Sequence, residues 1–236
     1  MAKKRIFAVG FDLPGNDFEY VKFNSDQTLL DADIILFEPT LGNCSSYESY
    51  NGKRLLDQHS SFDTKERLDH WRTEIIAAVN AGKLVIIYLA RPIECYRHTG
   101  QKEFSGTGRS QRTTNIVTEV SSYESVPNLT SVTPTSGKEI LLEKEATCLG
   151  PYWKEFSIYS PYEVEIKGDI KKALLKSRAG NRIVGAAVHT TTGTLLFLPP
   201  LRYDRGMFVT SDTKKGEFWT KDALKFGKKL AETISS

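Results

Sequence analysis

Cys95 and His98 stand three residues apart, a spacing that on a helical turn sets a thiol beside an imidazole. That is the nucleophile and base of covalent hydrolysis. A further histidine, His189, follows the small-residue run Val184-Gly-Ala-Ala-Val188. Cys95 with His98, or His189, therefore makes a hydrolase the first enzymatic alternative. Two nearby residues do not supply an oxyanion hole or an orienting third group, however. The plainer reading is a half-buried thiol beside a surface histidine, and the chain leans away from catalysis.

A second chemistry is anion recognition. Ser105-Gly-Thr-Gly-Arg-Ser110 lies among Arg97, Lys102 and Arg112. Glycines let backbone amides converge, and arginines pair phosphate through two nitrogens. Arg91, Arg97, Gly106, Gly108, Arg109 and Arg112 are the candidate ligand residues of an anion or nucleotide receptor module. No Gly-Lys-Ser/Thr opens a helix, so the segment is not a Walker loop. A flexible basic loop is the competing reading.

Metal chemistry has little support. His70 with Glu66 and Glu74 shares a charged helix face, which is more often a solvated ion-pair array. Asp12, Asp17, Asp31 and Asp33 do not follow calcium-loop spacing. Cys44, Cys95 and Cys148 are widely spaced and form no CxxC pair, so neither a zinc site nor a disulfide framework follows. No cofactor is expected, and a reducing, cytoplasmic location fits.

The elements that must position these residues are legible in part. Ile34-Ile-Leu-Phe37 and Leu84-Val-Ile-Ile-Tyr-Leu89 are continuous apolar runs, as expected of parallel strands buried on both faces. Between them the pattern predicts a helix from about Thr64 to Ala81. Asp63 and Glu66 would form its capping box, Leu68, Trp71, Ile75 and Val79 its buried stripe, and Gly82 its left-handed terminator. Residues 38–62 read as a long loop. Arg5 to Phe11 and Glu19 to Phe23 are further strands. Thr99 to Thr114 is polar and Gly/Ser-rich, Asn115 to Val120 a strand, and the region around 99–165 an irregular insertion. Ile183–Val188 and Thr194–Leu198 flank Thr190-Thr-Thr-Gly193 as a β-hairpin, with Gly193 at the position requiring positive φ. A terminal helix spans about Phe218 to Ile234. The fold class is thus a single α/β domain over 1–236. It has an open, mostly parallel sheet flanked by helices, a late β-hairpin and a C-terminal helix. Leu36, Trp71, Ile75, Val85, Ile87, Phe197 and Phe226 are expected to share one core.

Apolar residues make up 39% and charged residues 26%, ordinary for a globular domain. With 32 basic against 29 acidic residues, the net charge of +3 gives no specific nucleic-acid signal. No apolar run reaches membrane-spanning length.

The arrangement resembles the class I glutamine amidotransferase-like superfamily, flavodoxin-like in outline, and in particular its ThuA-like and related non-amidotransferase members. The likeness is carried by Asp33-Ala-Asp-Ile-Ile-Leu-Phe37 and by Asn80-Ala-Gly-Lys83 leading into Leu84–Leu89. Gly193-Thr-Leu-Leu-Phe-Leu-Pro-Pro200 before a terminal helix completes it. Family members that use the chemistry place a cysteine on a tight strand-to-helix elbow. The matching position here, Leu89-Ala90-Arg91, has no thiol, and Cys95 lacks the elbow glycines. His189 lacks the usual following proline–acid pair. The resemblance implies the fold without the activity: a pseudoenzyme that acts as a binding, sensor or assembly subunit. Its partner would be another protein, a second copy of itself, or a small anionic ligand. Any ligand site is expected at the carboxyl edge of the sheet, between Pro39–Gly42 and Arg91–His98, with Thr99–Thr114 closing over it and Arg109 arriving on closure.

Overall fold

A computed structural model describes residues 5–10, 19–42, 44, 46, 48–127, 130–136, 140–143, 162–178 and 181–199. The strands in chain order begin with β1 (Ile6–Val9), β2 (Glu19–Val21), β3 (Ile34–Phe37), β4 (Glu48–Tyr50) and β5 (Lys53–Leu55). Helix α1 (Gln58–Asn80) leads into β6 (Leu84–Tyr88), β7 (Glu94–Ser105), β8 (Arg112–Ser121), β9 (Thr130–Ser136) and β10 (Ile140–Leu142). Then come β11 (Tyr162–Gly168), β12 (Ile170–Ser177), β13 (Ile183–Val188) and β14 (Thr194–Leu198).

The apolar runs pair as their composition predicts. An eight-stranded sheet runs β10-β12-β13-β14-β6-β3-β1-β2. The five strands from β14 to β2 are mutually parallel, and β13, β12 and β10 are antiparallel additions. Every residue of β1, β3 and β6 is buried. In register, Ile35 sits beside Val85 and Leu36 beside Ile86. Side chains alternate across a strand. Ile35, Phe37, Val85, Ile87, Leu195 and Phe197 therefore meet Trp71 and Ile75 of α1 in one cluster. Leu36 is buried on the opposite face, so the expected single core containing both Leu36 and Trp71 is corrected. Phe226 and the terminal helix lie outside the described residues.

Helix α1 begins two turns before the predicted start. Asp57 is its N-cap, accepting from the Ser60 amide at 2.8 Å, and Asp63 lies within the helix. The buried stripe accordingly extends back through Thr64 and Ser61. Gly82 does end the helix in the left-handed region, at φ +80°. Gly193, by contrast, is not left-handed. It is needed because a Cβ there would collide with the Val79 and Lys83 carbonyls at the end of α1.

The segment from Thr99 to Thr114 is a β-hairpin and not irregular. β7 and β8 pair from Glu94–Ser121 out to Ser105–Arg112, within a second sheet ordered β4-β5-β7-β8. Lys53 of β5 holds Glu94 at 2.7 Å and also contacts Glu119, fastening the base of this arm. At Thr99–Gln101 the register shifts, and beyond it every residue from Gly100 to Asn115 is exposed. Residues 99–101 there oppose Ile116 alone, an irregularity that interrupts the ladder. β9 and β11 pair as a separate two-stranded sheet. No described helix is long and apolar enough to cross a membrane.

Candidate functional site

At the carboxyl ends of β3 and β6 the described residues continue the core. Leu41 follows β3, Leu89 follows β6, and both are buried in one cluster with Leu56, Cys95, Val120 and Val126. Gly10, at the end of β1, has φ +85°, and a Cβ there would also strike the Glu38 carbonyl. The start of α1 is stitched to β7. The Leu56 amide donates to the Tyr96 carbonyl at 2.8 Å, and buried Ser61 accepts from the His98 amide at 2.9 Å. Beside this stitch lies a cavity of ≈ 210 Å³ lined by Glu48, Leu55, Leu56, Asp57, Gln58 and His98.

The expected site residues fall in three places. Cys95 sits within β7, 1% exposed. A strand alternates its side chains, so Cys95 and His98 project from opposite faces of β7, and the helical-turn pairing is corrected. Burial, and secondarily the nearby Cys44, pushes the Cys95 thiol up to about 11. A thiol so raised is a poor nucleophile at neutral pH. Arg91 is exposed and Arg97 half-buried near the base of the arm. Gly106, Gly108, Arg109 and Arg112 occupy its tip, roughly 20 Å away at strand rise. One small anion cannot touch both groups. The tip glycines serve the turn: both have positive φ, and a Cβ on Gly106 would strike the Ser110 carbonyl.

His189 lies at the other end of the molecule. It follows β13, which runs antiparallel to β14, so it stands at the amino edge of the parallel strands, where β14 and β6 begin. Its amide donates to the Asp169 carbonyl at 3.0 Å, closing the β12–β13 ladder. This fixes the two side chains as a cross-strand pair, with Nε2 of His189 3.7 Å from Oδ1 of Asp169. The pair rims a cavity of ≈ 350 Å³ walled by Ile76, Val79 and Leu195, with Thr190 beside it. Asn80, the last residue of α1, also lines it, and Thr192 places its hydroxyl within reach of the Val79 and Asn80 carbonyls. Asp169 carries no sequence signal, because its meeting with His189 depends on the β12–β13 ladder.

Among the described residues no group of three or more His, Cys, Asp and Glu is placed to hold a metal. Glu74 turns instead to the β2–β3 connector, accepting from the Leu29 amide at 2.7 Å and the Thr28 hydroxyl at 2.8 Å. Comparison with family models, characterised proteins and solved structures gives no match.

Proposed function

We propose that this chain is a non-catalytic α/β binding module, a sensor or assembly subunit. The reading includes a glutamine amidotransferase-like fold with helices on both sheet faces, working in the cytoplasm. The mostly parallel sheet and the β3–α1–β6 unit support the fold. The free thiols of Cys44 and Cys95 agree with a reducing location.

The observation that carries the functional reading is the separation of the reactive groups. Cys95 is buried in a strand, His98 projects from that strand's other face, and His189 stands at the opposite edge of the sheet. No histidine of this set can take a proton from the thiol. Alkylation with iodoacetamide at pH 7.5, read by intact mass and peptide mapping, tests it. A thiol raised from 9.0 to about 11 should label about 100-fold more slowly than a free peptide thiol, before burial slows it further. Labelling faster than the free peptide would restore the hydrolase.

A further inference from the structure

The geometry points to the amino-edge cavity as a binding site for a small organic cation, an amine carried on an apolar body. This deepens the binding-module reading and rests on it. The volume of ≈ 350 Å³ falls in the range of small-molecule sites, which are mostly apolar with a few fixed polar groups. Ile76, Val79 and Leu195 supply the apolar walls, and Ile76 is 40% exposed.

Three features set the sign of the charge. Asp169 contributes a carboxylate at the rim, and none of the described lining residues is a lysine or arginine. The last turn of α1 lines the cavity, and a helix carboxyl terminus carries partial negative charge. That last turn has no basic side chain of its own to answer the charge. An ammonium group lying between Asp169 and the end of α1 meets all three, while its apolar body covers Ile76 and Leu195. The His189 amide, bonded to the Asp169 carbonyl, fixes the backbone that carries this carboxylate at the rim.

The test uses three probes with one phenyl ring: 2-phenylethylammonium, 2-phenylethanol and phenylacetate. Each is titrated into the full chain labelled at isoleucine, leucine and valine methyls. The ammonium should shift the Ile76, Val79 and Leu195 signals saturably. The alcohol should bind roughly tenfold more weakly and phenylacetate not at all. Asp169→Asn, at a side chain 78% exposed, should weaken the ammonium about tenfold without disturbing the fold. Ile76→Trp should fill the cavity and abolish the shifts. Equal binding of ammonium and alcohol, shifts that survive Ile76→Trp, or no methyl response to the ammonium would each overturn the assignment. Those outcomes leave the binding-module reading standing, since that reading falls only with a fast-reacting Cys95.

Discussion

Nε1 of Trp71 donates to the Phe23 carbonyl at 2.7 Å inside the core, so one side chain both fills the helix–sheet interface and ties down the end of β2. Its ring also lies 5.9 Å from Phe23 and 6.1 Å from Phe37. Trp71→Ala should cost ~3–5 kcal/mol. Trp71→Phe keeps an aromatic ring but strands a buried carbonyl, and should still cost ~1–3 kcal/mol. Urea denaturation of both variants checks this. A Phe variant as stable as the parent would show that the bond contributes nothing.

Glu74 reaches from α1 to the free amide of Leu29, so Glu74→Ala should leave that donor without its partner. The expected loss is ~1–3 kcal/mol, with Glu74→Gln intermediate because it retains an acceptor. Chemical denaturation measures the order. Equal effects of the two substitutions would mean that packing and not the acceptor matters.

Gly82 and Gly193 separate backbone freedom from space. An added Cβ at Gly82 meets no atom within 4 Å, but φ is +80°. Gly82→Ala should therefore cost about 1 kcal/mol. Gly193→Ala drives a methyl into the carbonyls ending α1 and should cost more, about 2 kcal/mol or above. Thermal melts of the two variants side by side would expose a reversed ranking.

Stability should also fall at alkaline pH through Cys95. Its folded-state pKa is raised from 9.0 to about 11, so the thiol's contribution is complete below pH 9 and is lost as pH rises through 11. Cys95→Ala should flatten the decline across that window. Fluorescence-monitored denaturation at steps of pH measures it, and an unchanged alkaline limb in the variant would assign the decline elsewhere.

Continuous apolar runs are readable because strands buried on both faces need no partner to be recognised; β3, β6 and the β13–β14 hairpin follow from that. Within the expected long loop of residues 38–62, the β4–β5 hairpin has a local signal in Asn51-Gly52. Asn51 and Gly52 both take positive φ, 48° and 77°, the requirement of a tight two-residue hairpin turn. β12 was harder. Ile170-Lys-Lys-Ala-Leu-Leu-Lys-Ser177 does not alternate cleanly, and three register irregularities in its pairing with β13 explain why. Of the site, His189 stood out by residue type, whereas its meeting with Asp169 depends on that same strand. The arm from Thr99 to Thr114 was hidden by polarity: exposed on both faces, it has no apolar side to mark its period.

The place of β14 has a consequence for synthesis. It is the last described strand, yet it inserts between β6 and β13, pairing Thr194–Leu198 with Leu84–Tyr88. While the chain emerges from the ribosome, β1, β2, β3, α1 and β6 can assemble early, but one border of β6 has no hydrogen-bonding mate until residue 198 has been made. Pairings so distant in sequence form slowly, and an open border of Leu-Val-Ile-Ile-Tyr invites association with other nascent chains. A ribosome stalled before Thr194 therefore displays the strand most in need of a chaperone, and a fragment ending there should be recovered as aggregate and not as a smaller folded domain.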